Sequence, residues 1–445
     1  MQDLTDLVNA NLETVRKILS YTYQMNSELA IQRVMKGAES NRITKTTNGD
    51  DFRAPLVIAP AGLYGAFNPE GGNLGLGVGY TLAQLVQTYF ATKSGYQLTY
   101  AAVRGTETDL QTRFNAWKET MKGAVPFMAR MENVGWHNLG GNNGQVGIVT
   151  TTTSVGGGTE TFTMDPEFGT RLFIENQRVE IFNSNQSTYR TSTVSPDNLP
   201  YVQSINRVAR QMVVTNLGSI VPANGDTLFL QGCTSTPVWA DGLYYVNTTS
   251  TSGSYLGLSR TTYPSINPTA ITSGGVLNPQ QILALAFTIK IRGGNQQFPT
   301  LIGLASPHQL AQMSAQVQAM QVYYRSQMTG PQIDPLPKQV SVGMDQGVLF
   351  GDITHYEDDC QGYDRIDYCN PKTWGRVYLD HEGADFYRDP GTNQMFFPMT
   401  AAGTNAGPAA GTLFYLETTE NWINTNPLLN GLITGLVPPS QDYSF

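Results

Sequence analysis

The stretch GLYGAFNPEGGNLGLGVG, residues 62–79, has seven glycines in eighteen positions and decides how the first part of the chain can fold. Glycine loses more backbone freedom on folding than any other residue, so we expect this segment to be mobile in an isolated subunit. Extended apolar runs at residues 54–58 and 96–103 flank it. The pattern predicts a long two-stranded excursion with a glycine-rich tip.

A glycine-rich loop can also cradle phosphate groups, and this is the functional alternative for residues 62–79. Such a loop would be followed by GK[ST], or would carry GxGxxG between a strand and a helix. The sequence has neither arrangement here. We therefore favour the structural interpretation.

Amphipathic helices are predicted on both sides of this excursion. Apolar residues recur every three or four positions over residues 1–36, and again from about residue 107 to about residue 133. Pro126 lies within the second pattern, where it is expected to kink the helix or to end its first segment.

The middle of the chain has the pattern of short strands. Residues 150–155 and 159–164 flank a glycine turn at 156–158, which predicts a hairpin. Further short apolar runs with frequent turns continue to about residue 232, which favours a small inserted barrel or sandwich. We expect residues 165–260 to form a β-domain whose strands do not pair with residues 300–305.

Helical signals return after this β-rich region. Asn278 offers an N-cap, Pro279 a first helical residue, and Gln281 the third position of a capping box. Residues 306–309 show the same capping pattern after an apolar strand predicted at 300–305. The class predicted from these elements is α+β.

The composition limits the possible functions. Charged residues make up 14% of the chain, against about 25% in typical soluble domains. A surface poor in charge is suited to burial against other protein, although a secreted β-protein is an alternative. The net charge of −8 argues against a dedicated nucleic-acid-binding domain. No apolar run long enough to span a membrane and no secretory signal are visible.

Residues 352–389 carry ten acidic and four basic side chains, a local charge of −6. The same stretch contains His355, Cys360, Cys369 and His381, but their spacing does not fit a zinc site. Calcium or magnesium on the carboxylates is an alternative without EF-hand spacing. We interpret the stretch as a solvated or intersubunit acidic face.

No residue is assigned a catalytic, cofactor-binding or metal-binding role. The sequence lacks a GxSxG motif, and His137, His308, His355 and His381 occur in unrelated contexts. With Cys233, the cysteines number three, and reduced thiols are favoured over a disulfide framework. We expect no enzyme activity, and a fold that needs no metal.

The order of the elements resembles the major capsid proteins of tailed bacteriophages, which share the Hong Kong 97-type shell fold. Four stretches carry this resemblance, and they are similar to members of the family that have an inserted domain. They are residues 151–161, 171–182, 242–262 and 420–436.

The resemblance implies a division of the chain. Residues 1–42 would form an N-terminal helical arm, 43–105 an extended glycine-rich loop over a neighbouring subunit, 106–164 a peripheral domain with the long spine helix and β-hairpin, 165–260 the inserted β-domain, 261–430 the axial α/β domain, and 431–445 a tail that returns to the periphery.

The resemblance also implies a function. The chain would assemble in the host cytoplasm into hexamers and pentamers of an icosahedral shell around double-stranded DNA, without sequence-specific recognition of that DNA and without a membrane. Scaffolding, portal and decoration proteins are the expected partners. The rival hypothesis is an extracellular β-rich protein that binds or hydrolyses glycans, of the tail-fibre kind.

The glycine-rich stretch yields a first prediction. Ordering its backbone costs on the order of 1–2 kcal/mol per residue, and burial of its apolar side chains on a neighbouring subunit can offset this. Replacing Leu74, Leu76 and Val78 by Asp should therefore leave the subunit folded and block assembly. Hydrogen exchange across residues 62–79 should be fast in subunits and slow in shells. Equal protection in both states would contradict this.

Overall fold

The computed structural model describes residues 34, 51–59, 81–99, 110–141, 143–190, 199–218, 220–232, 240–293, 300–316, 342–343, 347–350, 353–378, 384–389, 391–392, 394–400, 408–440 and 442. The predicted helix over residues 1–36 lies outside these residues except for Val34, which is helical and buried. The glycine-rich stretch 62–79 also lies outside them.

Two antiparallel strands carry the chain out and back around the glycine-rich stretch. They are β1 (Asp51–Ala59) and β2 (Thr81–Thr88), paired from Asp51 opposite Thr88. The expected return strand at residues 96–103 was therefore wrong. The place beside β1 is taken by β2, and Tyr96 belongs to β3 (Ala91–Thr99), which pairs over nine residues with a strand near the C-terminus.

The long predicted helix is present as α1 (Leu110–Trp136), 27 residues. It continues through Pro126, so the expected end of a segment at that residue does not occur. Pro126 is exposed, whereas Val125, Met128 and Ala129 are buried. Burial of that face outweighs the one backbone hydrogen bond that proline cannot donate.

A six-stranded antiparallel sheet contains both the predicted hairpin and the predicted insert. Its strands are β4 (Gln145–Gly156), β5 (Thr159–Met164), β6 (Val179–Phe182), β7 (Tyr201–Asn206), β8 (Gln211–Thr215) and β9 (Thr227–Leu230). Their order is β6-β9-β4-β5-β8-β7.

The edges of this sheet meet where Arg178 bridges Tyr201, so the sheet closes on itself there, as the predicted small barrel requires.

Gly156, Gly157 and Gly158 have φ of 98°, 65° and 76°, which explains three glycines in the predicted turn. The boundary expected between residues 164 and 165 lies inside this sheet. None of its strands pairs with residues 302–305.

The chain then passes through short elements before its second large sheet. These are α2 (Leu243–Val246), β10 (Ser254–Tyr255), β11 (Leu258–Ser259) and a 3-10 turn at Pro264–Ile266.

A mixed seven-stranded sheet organises the second half. Its strands are β12 (Thr269–Gly275), β13 (Ile302–Ala305), β14 (Val342–Gly343), β15 (Gly347–Phe350), β16 (Ile353–Glu357), β17 (Ile366–Cys369) and β22 (Gly431–Leu436), in the order β12-β22-β17-β13-β16-β15-β14. Residues 431–436, expected in a tail, thus lie inside this sheet between β12 and β17.

Helix α3 (Pro279–Arg292) covers this sheet with its buried residues Ile282, Leu285 and Ile289. It starts as predicted: the side chain of Asn278 accepts from the Gln280 N–H at 2.9 Å, and Gln281 completes the capping box. A further helix, α4, begins at residue 307 and is described to residue 316.

The third sheet is built along one long strand, β21 (Pro408–Asn424). β3, β18 (Trp374–Tyr378), β19 (Asp385–Phe386) and β20 (Phe396–Thr400) pair with it, and 3-10 turns lie at Pro371–Thr373 and Pro427–Leu429. One continuous core joins this sheet, α1 and the six-stranded sheet, and a second core lies under α3. These contacts confirm the α+β prediction.

The cap of α3 gives a second prediction. Asn278→Ala should lower the free energy of unfolding by about 1 kcal/mol, because the first turn loses an acceptor for its backbone N–H groups. Urea unfolding followed by circular dichroism measures this. Gln280→Ala, an exposed neighbour in the same turn, is the matched control and should be close to neutral. Equal losses for both variants would show that the cap contributes nothing.

Candidate functional site

The end of α1 is fixed by a buried ion pair. His137 follows the last residue of α1, and its Nε2 lies 2.7 Å from Oδ2 of Asp358, with both side chains 0% exposed. The other ring nitrogen, Nδ1, lies 2.8 Å from the carbonyl oxygen of Asn133. A carbonyl can only accept, so Nδ1 holds a proton. A second proton at Nε2 makes the contact with Asp358 attractive.

The second oxygen of Asp358 is also engaged. Its Oδ1 accepts from the backbone N–H of Cys360 at 3.0 Å and from Nδ2 of Asn133 at 3.3 Å. Burial alone would raise the pKa of Asp358, but the His137 charge and these hydrogen bonds outweigh burial and hold the pKa below its usual range. The carboxylate therefore stays ionised in the core.

His137, Asp358 and Cys360 bring one metal-ligating atom each to within 4.8 Å of one another. Both histidine nitrogens already have partners, and burial raises the pKa of the Cys360 thiol, which keeps it protonated. Hydrogen bonds and protonation are thus sufficient to explain why these three side chains lie together, without a metal ion. That the fold needs no metal stays a prediction.

Sequence spacing could not show this cluster, because His137 and Asp358 come from opposite halves of the chain. Of the other candidates, Cys369 is buried, and His355 is buried with its Nε2 3.2 Å from the Tyr368 hydroxyl. His308 is half-buried, with its Nε2 2.8 Å from the Gln312 amide nitrogen. His381 and Cys233 lie outside the described residues.

The described part of the stretch 352–389 is not one solvated or intersubunit acidic face, and that interpretation was wrong there. Asp358, Asp367 and Asp385 are buried, whereas Asp359 is exposed. The described acids differ in burial because the stretch includes strands of two sheets and the loops between them. Asp352, Asp380 and Glu382 lie outside the described residues. Sequence charge density cannot distinguish the two environments.

Asp367 illustrates how these buried acids are satisfied. Arg365 donates to both of its oxygens, from Nη2 at 2.6 Å and from Nε at 2.8 Å. Gln361 donates to Oδ2 at 2.5 Å, and the guanidinium of Arg365 lies 3.8 Å from the ring centre of Tyr244. Bidentate pairing of this kind compensates the cost of burying charge.

The outer side of α3 is apolar as well. Leu283, Phe287 and Ile291 are 39%, 51% and 73% exposed and follow one another at four-residue steps. Val276, just before the helix, is 57% exposed, and Val437 beside it is 48% exposed. The backbone N–H of Val437 donates to the Gly275 carbonyl at 3.3 Å, which places these two valines together. We call these five residues the α3 surface.

No helix within the described part of the chain combines the length and the apolar character that crossing a membrane requires.

The buried ion pair gives a third prediction. Asp358→Asn should lower the free energy of unfolding by about 3 kcal/mol, because His137 loses its charged partner in the core. A carboxyl with a depressed folded pKa stabilises above its unfolded value of about 3.9 and loses this effect as the pH falls through the folded pKa. The variant should therefore also lose part of the acid sensitivity of the wild type.

Urea unfolding between pH 3 and pH 7 measures both effects. Asp359→Asn removes the exposed neighbouring acid and is the matched control. Stability equal to wild type in Asp358→Asn would show that the pair contributes nothing.

The chain matches no protein-family model and no curated protein sequence. Its fold is similar to that of solved capsid structures over most of both chains. For the cyanophage A-1(L) capsid the TM-score is 0.46 at 10% identity, covering 93% of this chain and 94% of that one. For the capsid of the native GTA particle the TM-score is 0.43 at 6% identity, and the match covers 93% of this chain and 92% of that one. For Mycobacterium phage Patience the TM-score is 0.38 at 9% identity, and the match covers 99% of this chain and 90% of that one.

Proposed function

We propose that this chain is a structural protein that assembles with copies of itself into the icosahedral capsid of a tailed bacteriophage. The observation that carries the proposal is the α3 surface. One side of α3 packs on the seven-stranded sheet, and the other side presents Leu283 and Ile291 to solvent in the single subunit. Large apolar side chains exposed in a row along one side of a helix are typical of a protein interface.

A second copy of the same chain is the partner that fits best. The sequence carries 14% charged residues, so much of the subunit surface can be buried without stripping water from charges. Among the described strands β12 is an edge of the seven-stranded sheet, and it ends at Gly275, directly before Val276 of the α3 surface. An edge strand offers backbone groups that a neighbour could pair with. A repeated contact of this kind closes into a ring when the rotation between copies is right.

The proposal includes the arrangement of the shell. Residues 1–42 serve as the arm, β1 and β2 with the stretch between them as the extended loop, and α1 with the sheet along β21 as the peripheral domain. The six-stranded sheet, which includes β4 and β5, is an insert on the outer side, and the seven-stranded sheet, which includes β22, belongs to the axial domain. Subunits form hexamers and pentamers, with scaffolding, portal and decoration proteins as partners. The shell assembles in the host cytoplasm, encloses double-stranded DNA without reading its sequence, and has no enzymatic role.

The described tryptophans do not support the glycan-binding alternative. Sugar sites in β-proteins use exposed aromatic rings, whereas Trp136, Trp374 and Trp422, the three tryptophans whose side chains the structure describes, are 0%, 0% and 2% exposed. Their packing is structural.

The α3 surface gives a fourth prediction. The double variant Leu283→Gln with Ile291→Gln should fold as the wild type does, because both side chains are already exposed, and should fail to form shells. Circular dichroism checks the fold, and sedimentation with negative-stain microscopy checks assembly. A loss of at least tenfold in assembled mass is expected, since removing two apolar contacts per interface is repeated at every copy.

Val155→Gln with Val221→Gln is the matched control. These valines are 63% and 75% exposed and lie on the six-stranded sheet and the loop before β9. This variant should assemble normally. Normal shells from the α3 variant, or a stable monomer at high concentration in the wild type, would contradict the proposal.

A further inference from the structure

Two buried carboxyl groups join the long helix to the long strand. Glu132 lies near the end of α1 and is 7% exposed, and Glu420 lies in β21 and is 2% exposed. The Glu132 carboxyl contacts the Glu420 carboxyl and the hydroxyl of Thr418. Because alternate residues of a strand point to the same side, Thr418, Glu420 and Trp422 share the face that α1 covers.

The charges at this contact do not balance when both acids are ionised. Arg376, on β18, places its Nε 3.4 Å from Oε2 of Glu420, with side chains 8% and 1% exposed. Two carboxylates beside this guanidinium leave one negative charge in excess. Oε2 of Glu132 has no hydrogen-bond donor among the described residues. A carboxylate cannot donate, so a hydrogen bond between the two acids requires a proton on one of them.

A cavity of about 360 Å³ borders the pair. Met128, Met131 and Glu132 line it from α1, and Glu420 and Trp422 line it from β21. The cavity gives water a place to enter beside Glu132 without unfolding of the core.

Two other charged side chains face the same cavity. Lys93 belongs to β3; its ammonium lies 4.0 Å from Glu417 and 3.4 Å from the ring centre of Tyr387. Arg178 belongs to the segment before β6. Lys93 is thus held by Glu417 and Tyr387, and Arg376 contacts Glu420 of the acid pair.

We propose that Glu132 and Glu420 form a proton-binding site that sets how firmly α1 is held against β21. With one proton between them, the carboxyls hydrogen-bond to each other. When that proton leaves to solvent through the cavity, two carboxylates face each other and water replaces their contact. The helix is then held at this position by its apolar face, and at its end by the His137–Asp358 pair.

The pKa of Glu132 supports this arrangement. Burial raises it well above its usual range, the charge of Glu420 raises it further, and Arg376 opposes both. A raised folded pKa means that the folded chain keeps a proton that the unfolded chain releases above about pH 4.3. The contribution is fully present below that pH and is lost as the pH rises through the folded pKa of Glu132.

The test is a comparison of unfolding by urea between pH 4 and pH 9, using isolated wild-type subunit and Glu132→Gln. Glutamine has the shape of the protonated acid and cannot ionise. We expect the folding equilibrium constant of the wild type to lose up to tenfold more per pH unit than that of the variant in the window where Glu132 stays protonated only in the folded state. Below pH 4 the two should be similarly stable.

Glu175→Gln, which removes an exposed acid between β5 and β6, should keep the wild-type pH dependence. If Glu132→Gln does not fold, Glu420→Gln should reduce the pH dependence in the same direction, since the pair shares one proton. An unchanged pH dependence in whichever of these two variants folds would overturn the inference. Because isolated subunits are used, this result does not depend on whether shells form.

Discussion

The position of α1 depends on a charge that water does not reach. Once His137 and Asp358 are both in the core, each needs the other, since an unpaired buried charge costs several kcal/mol. The pair therefore allows one placement of the helix end relative to the loop after β16. Aromatic rings close around it: Trp136 packs against Trp374 with centroids 5.5 Å apart, and Tyr244 lies edge-on to His137 at 5.9 Å.

The same placement leaves no room for side-chain atoms at one nearby position. A Cβ added to Gly242 would lie 2.3 Å from the carbonyl oxygen of Trp136. The backbone before α2 thus passes directly against the end of α1. Gly242 is needed because a side chain would collide with the backbone of α1. The glycines of the β4–β5 turn are needed because their φ angles are positive.

Charge and apolar surface are distributed in an unusual way. Several of the chain's few charged groups, including Asp358, Asp367 and Glu420, are buried and paired, while Leu283, Ile291 and Val276 remain at the surface. Buried pairs fix one arrangement of the subunit, and exposed apolar groups favour association. Both features are consistent with the proposed association of copies over uncharged surfaces.

Local patterns in the sequence were enough to predict α1 from its apolar stripe, the β4–β5 hairpin from three glycines, and the start of α3 from Asn278, Pro279 and Gln281. These depend on interactions within a few residues, which periodicity and capping patterns record. Tertiary structure alone decided that β1 pairs with β2, that β22 enters the seven-stranded sheet, and that His137 meets Asp358 while Glu132 meets Glu420. Each of these contacts joins residues far apart in the chain. Their energy comes from burial and desolvation in the folded core, which spacing along a single sequence does not encode.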